Sequence, residues 1–232
     1  MPPAGRLSDV LVFTRTADYR HDSIPAGRAA LRELGEEHGF EVECSEDPSV
    51  FTDASLAGRD AVVFLSTSGE VLTPEGRDAL RRRLSDGCGF MGVHSAACTE
   101  YDWPYYGELI GARFAGHPAF QPGTVLIEDR DHPATRHLPP RWDRADEWYD
   151  FRSNPRHLPG VRVLATIAET GYEGGGMGAD HPLIWCRESD AGRSFYTSLG
   201  HAEDAYTDPA FRAHLLGGLR WAAAGRAGQR RK

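Results

Sequence analysis

Four polar residues each follow a short apolar run: His21 after Asp9–Thr14, Glu70 after Ala61–Leu65, His94 after Phe90–Val93, and His201 after Arg193–Leu199. Such runs read as buried strands. Where strands are parallel, their carboxyl ends share one edge, and open α/β sheets bind ligands at that edge. Imidazoles and carboxylates gathered there can act as general acids and bases, because an imidazole near its ordinary pKa of about 6.5 moves a proton at neutral pH. They can also hold a divalent cation such as zinc or manganese, with His94, His201 and His181 as candidate ligands. Each residue also has a plainer reading. His21 can bond to the helix start beside it, Glu70 can cap the loop before Thr73, and His94 or His201 can be a buried residue satisfied by backbone. Their coincidence at one edge favours a shared site.

Further candidates lie in loops. His117, His132 and His181 each precede a proline, which holds the preceding residue extended and can aim a ring. His181 stands out because it ends the glycine-rich stretch Thr170–Asp180. Glu147 sits in an alternating Asp-Glu-Trp-Tyr run. Tyr19, Tyr106, Trp103, Trp148 and Tyr172 could line a sugar-sized cleft, since aromatic faces suit the C–H faces of a sugar ring; core packing is the alternative, and the better one for Trp148 and Trp185. His38, His137, His157 and His214 read as solvated or structural.

The elements that must position these groups alternate. Strands are expected at Asp9–Thr14, Phe40–Cys44, Ala61–Leu65 and in the run before His94. Helices are expected from Ser23 to near Gly39 and from Thr73 past Leu84, each with an N-cap and an early proline. This βαβ order implies a parallel sheet with right-handed crossovers. Beyond it come a short helix at Gly107–Ile110 and strands at Thr124–Glu128, Asp146–Phe151, Val161–Ile167, His181–Cys186 and Arg193–Leu199. A helix from Asp208-Pro209 closes the chain. With no linker in sight, the second half reads as an antiparallel extension of one domain spanning 7–225, with flexible termini at 1–6 and 226–232.

The 232 residues carry a formal charge of −8, which argues against a nucleic-acid binder; the only basic cluster is the tail from Arg226. No apolar run approaches the 18–20 or so residues of a membrane span. The start, MPPAGRLSD, lacks the apolar core of a secretory signal. The four cysteines match no zinc spacing and read as free thiols in a reducing compartment. A cytoplasmic protein with a small-molecule partner is expected, and a homo-oligomer is left open.

The segments YRHDSI (19–24), STSGE (66–70), GVHSA (92–96), YDWPYYGELIGARFAGHP (101–118), DHPAT (131–135), DEWYDF (146–151), DHPLIWCRE (180–188) and SLGHAEDAY (198–206) together resemble the ThuA-like, trehalose-utilisation family, from about Val10 to Ala223. The resemblance implies a flavodoxin-like three-layer α/β sandwich, similar to class I glutamine amidotransferases, with a mostly parallel central sheet. Those enzymes place a cysteine in a G-x-C-x-G elbow and a later H-x-E pair. Here the elbow reads Gly92-Val93-His94-Ser95-Ala96 and the pair reads His201-Ala202-Glu203. The nucleophile position holds His94; Ser95 follows that position, and Cys98 lies about a helical turn on. Glutaminase activity is therefore not expected.

The family implies use of trehalose or related disaccharides, or of 3-keto-glycosides, and some members carry a metal ion. The expectation is a carbohydrate enzyme using acid–base or metal-assisted chemistry. Its catalytic groups would be His94 and His201 at the centre, with His21, His181 and Glu203. Glu70, Tyr106, His117, Glu147, Tyr19 and Ser95 would meet the substrate. The alternative is a sugar-binding or regulatory module that kept the cleft and lost the chemistry.

Overall fold

The computed structural model describes residues 7–189 and 192–225; the two expected flexible termini, and with them the basic tail, lie outside the described residues. Strands β1 (Asp9–Phe13), β2 (Glu41–Ser45), β3 (Ala61–Leu65) and β4 (Gly89–Val93) alternate with helices α1 (Ile24–His38), α2 (Asp53–Leu56) and α3 (Pro74–Ser85). The helix signals act much as the sequence suggests. Thr73 Oγ1 accepts the Gly76 N–H at 3.1 Å, and Gly39, at φ 73°, closes α1 in the left-handed conformation. Ser23 differs. It stands at the N-cap of α1, but its hydroxyl donates to the Gly200 carbonyl at 3.2 Å, so it ties the helix start to the far side of the site.

The second half adds α4 (Pro104–Ile110), β5 (Phe114–Gly116), β6 (Gln121–Ile127), β7 (Arg141–Asp146), β8 (Asp150–Phe151), β9 (Val161–Ile167), β10 (Pro182–Ser189), β11 (Gly192–Thr197) and α5 (Pro209–Ala223). Nine strands form one sheet in the order β2-β1-β3-β4-β11-β10-β9-β6-β7. Pairing is parallel from β2 through β11 and antiparallel from β11 to β7. The carboxyl ends of β1, β3, β4 and β11 therefore share one edge.

Side chains alternate across the strands and build two cores. Val10, Val12, Val63, Met91 and Val93 face α1 and α5, meeting Leu31, Leu34, Leu215 and Leu219. Leu11, Phe13, Val62, Phe64 and Phe90 face α3 and α4, meeting Leu80, Leu84, Leu109 and Ile110. Burying each such side chain contributes about 1.5–3 kcal/mol. Gly89 lets α5 approach closely, because a Cβ there would collide with the backbone of Ala222.

Two local departures matter for the site. Past β4 the chain makes a 3-10 turn, His94–Cys98, rather than a regular helix. The run Asp146–Phe151 is not one strand. Asp146 ends β7, an edge strand in which Trp142 turns inward and carries the Arg144 guanidinium 4.3 Å over its ring. The next three residues leave the sheet, and Asp150–Phe151 pairs with β5 in a separate two-stranded sheet. That break frees Glu147 to turn toward the parallel edge.

Candidate functional site

At the end of β4 the backbone turns sharply: His94 holds φ 53°, and Ser66 at the end of neighbouring β3 holds φ 48°. Positive φ is uncommon outside glycine and concentrates at functional sites. The turn buries the His94 ring completely and sets its Nδ1 2.7 Å from the Ser198 carbonyl. A carbonyl only accepts, so Nδ1 carries the proton and the Nε2 lone pair faces the other way.

Three groups gather about that lone pair. His94 Nε2 lies 3.0 Å from His21 Nε2 and 3.5 Å from Glu147 Oε2, and the latter oxygen lies 3.1 Å from His201 Nδ1. One ligand-capable atom from each of His21, His94, Glu147 and His201 falls within 4.8 Å of the others. His201 Nδ1 is buried and, despite its closeness to Glu147, makes no aligned hydrogen bond. On its far side His21 is held by Ser95, whose Oγ lies 3.2 Å from Nδ1.

Asp146 fixes two of the four. Its carboxylate accepts the backbone N–H groups of Glu147 at 3.0 Å, Gly200 at 2.9 Å and His201 at 3.1 Å. The break after β7 and the loop after β11 are thus locked together by one buried side chain.

Electrostatics follow from this crowding. Burial, then the neighbouring His94 and His201, push the His21 imidazole down to about 3, so it is neutral at physiological pH. Burial opposes ionisation of Glu147, but the neighbouring His201 and His94 imidazoles prevail and hold its carboxyl well below the usual range. The Glu147 carboxylate in turn raises His201 against the cost of burial.

The other expected residues are placed variously. His117 Nε2 approaches Glu147 Oε1 to 3.6 Å from the solvent side. Tyr19 is exposed, its ring 4.7 Å from that of His21. Tyr106 is fully buried; its hydroxyl donates to the Ala96 carbonyl at 2.8 Å, so it supports the turn from beneath. Glu70 is drawn away by an ion pair with Arg77, which also holds the buried carboxylate of Glu100 at 2.5 Å. Glu203 lies exposed on a 3-10 turn, and the carboxylate beside His201 is Glu147 instead. His132 is buried away from the edge, stacked on Phe195.

His181 belongs to a neighbouring trio. Its Nδ1 lies 2.8 Å from Glu169 and 3.0 Å from the Tyr172 hydroxyl, and Asp150 completes a group within 4.8 Å. Its Nε2 meets the backbone carbonyl of Tyr149 at 2.9 Å, while the hydroxyl of that tyrosine reaches His94 Nε2 at 2.8 Å. Tyr149, Asp146, Asp150 and Glu169 were not singled out by sequence. Only Asp146 and Asp150 carried a signal, as the polar positions flanking the run that holds Glu147.

The sheet and its histidine-rich edge define an α/β fold that recurs among solved structures. The chain is similar to a ThuA-like protein from Bacteroides uniformis at TM-score 0.78 and 22% identity, covering 96% of this chain and 93% of that one. It is similar to a ThuA-like protein from Parabacteroides merdae at TM-score 0.76 and 20% identity, covering 94% and 91%. The fold also recurs in a β-galactosidase from Rahnella sp. R3, at TM-score 0.57 and 15% identity, covering 90% of this chain and 30% of that one. At these identities the likeness speaks for the fold. A search of curated proteins gives no match. The family model described as ThuA, trehalose utilisation, matches residues 9–222, and the chain belongs to that family.

Proposed function

We propose that this protein is a carbohydrate-processing enzyme whose centre is the His21, His94, Glu147 and His201 cluster, and that the cluster holds a divalent cation of the zinc or manganese type. The observation that carries this reading is the inward Nε2 of His94 with three ligand-capable atoms around it. Neighbouring ligands of a tetrahedral zinc with bonds of about 2.0–2.1 Å sit about 3.3 Å apart. The His94–His21, His94–Glu147 and His201–Glu147 separations of 3.0, 3.5 and 3.1 Å bracket that value. Ser198 and Ser95 fix the far nitrogens of His94 and His21, as partners of metal-bound imidazoles do. A cation there would polarise a carbonyl or hydroxyl of the substrate.

The family's link to trehalose utilisation supports a disaccharide or a 3-keto-glycoside as substrate. A 3-keto group acidifies the adjacent C–H. An imidazole base takes that proton, the freed electron pair forms a carbon–carbon double bond, and the glycosidic C–O bond breaks as the aglycone leaves. His117, partly exposed beside the Glu147 carboxylate and outside the four proposed ligands, would be that base and would exchange the proton with solvent. Free cysteines at 44, 88, 98 and 186 support a reducing, cytoplasmic setting. Among the described residues no helix is long and apolar enough to cross a membrane.

A thiol glutaminase is disfavoured by chemistry. The elbow holds His94, and burial pushes the Cys98 thiol up to about 12, far from the thiolate a nucleophile needs. That loss also favours a second reading, a sugar-binding module without turnover. Assays on trehalose and 3-keto-trehalose, with and without zinc or manganese, separate the two. Metal-dependent product that disappears in His94→Ala supports the enzyme; tight binding without product under every metal condition supports the module.

A further inference from the structure

Among the described residues, two large hydrophobic side chains stand exposed, Tyr19 at 64% and Phe120 at 45%. Both stand beside the histidine cluster. The Tyr19 ring lies 4.7 Å from His21, and the Phe120 ring lies 5.5 Å from His201. His21 and His201 are themselves 5.3 Å apart, so ring contacts lead from Tyr19 through the two histidines of the cluster to Phe120.

Neither ring is exposed through a loose backbone. The Tyr19 carbonyl accepts the Ser68 hydroxyl at 2.6 Å, and Ala17 N–H donates to the Ser68 carbonyl at 2.8 Å. Beside Phe120, Gln121 clamps the glycine-rich loop: its Nε2 donates to the Glu173 carbonyl at 2.9 Å and its Oε1 accepts the Glu173 N–H at 2.9 Å. Aromatic surface left in water is costly, and isolated exposed aromatics need no special cause. Two of them on fixed supports, flanking one polar centre, form a pattern that suits a ligand with two flat apolar faces and polar edges between.

We propose that Tyr19 and Phe120 are paired stacking platforms that select a two-ring glycoside, one ring on each, with the bond between the rings lying over the histidine cluster. This rests on the carbohydrate reading above and narrows it. His117 and Glu147, at the mouth of the cluster, then face the hydroxyl groups at the junction. A single sugar ring reaches only one platform. The pair would therefore set preference for two rings over one, rather than affinity for sugars in general.

The test titrates the full chain with trehalose, 3-keto-trehalose and methyl glucoside by calorimetry and saturation-transfer NMR, comparing wild type with Tyr19→Ala, Phe120→Ala and Tyr19→Phe. Both alanine sites are solvent-exposed, so the variants are expected to fold, and circular dichroism confirms it. The expected result is a loss of about fivefold in two-ring affinity for each alanine variant, in line with the ~1 kcal/mol scale of aromatic stacking. Tyr19→Phe should bind like wild type, and methyl glucoside should lose affinity in at most one alanine variant. If wild type binds the two-ring sugars and both alanine variants match it, the platforms are overturned while the carbohydrate reading stands. If wild type binds none of the sugars, the carbohydrate reading itself fails and takes the platforms with it. A change of oligomeric state in Phe120→Ala, with sugar binding intact, would make that ring an interface between copies and overturn the proposal.

Discussion

The Tyr149 hydroxyl donates a 2.8 Å hydrogen bond to Nε2 of His94, the atom that also faces His21 and Glu147. The two rings lie 4.5 Å apart, and the tyrosine is almost wholly buried. Burial pushes the Tyr149 phenol well above its ordinary range, so it remains a donor and does not serve as a base. Through its carbonyl it also receives His181, which makes it the link between the two polar clusters.

Tyr149→Phe keeps the ring and removes only the donor. Stability should fall by about 1 kcal/mol, the net worth of one buried hydrogen bond, measured by urea unfolding. Zinc affinity should hold or rise, because the hydroxyl and a cation compete for the same lone pair. A fall of more than tenfold in a chelator-competition titration would show that the lone pair is not the ligand.

Asp146 supports the site from behind. Asp146→Ala leaves the N–H groups of Glu147, Gly200 and His201 without their buried acceptor. The expected cost is roughly 2–4 kcal/mol in stability, with a 10–100-fold loss of metal affinity of the kind seen when outer partners of a ligand are removed. Asp146→Asn keeps one acceptor oxygen and should fall between. Full metal affinity in a folded Asp146→Ala variant would contradict the role assigned to this carboxylate.

Acid sensitivity should arise partly outside the site. His214 is fully buried on α5, with Nδ1 2.8 Å from the Ala134 carbonyl, and burial pushes it down to about 3. Its folded pKa lies below its unfolded one, so the unfolded chain binds the extra proton. The stability is fully present above about 6.5 and is lost as pH falls from there toward 3. The loss should amount to about 2 kcal/mol at pH 5, where the unfolded histidine is already charged. Urea midpoints measured from pH 7.5 to 4.5 should decline, with a shallower slope in His214→Gln. An identical slope in that variant would assign the acid sensitivity elsewhere.

The inner strands of the parallel half were legible because they are buried on both faces, and α3 because it starts with proline behind a capping threonine. Ala61–Leu65 and the start of α3 are where the residue pattern places them. β7 was not legible: an edge strand reading Arg-Trp-Asp-Arg-Ala-Asp buries little and pairs on one side only. The same limit shaped the reading of the site. Residues at strand ends, His21, His94 and His201, could be inferred to gather because topology gathers them. Glu203 has the H-x-E spacing from His201, yet nearness in sequence does not aim a side chain, and the turn out of the sheet after β7 brings Glu147 there instead. Tyr149 reads in sequence as one more core aromatic; only its burial against His94 reveals a polar use.

The most direct measurement is an anomalous difference map from a crystal soaked in zinc. The proposed centre requires one strong peak within bonding distance, about 2.0–2.2 Å, of His94 Nε2, His21 Nε2, His201 Nδ1 and a Glu147 oxygen. The peak should be absent from a His94→Ala crystal. No peak in wild type, or a peak held by other residues while His94 and His21 stay in direct contact, would contradict it.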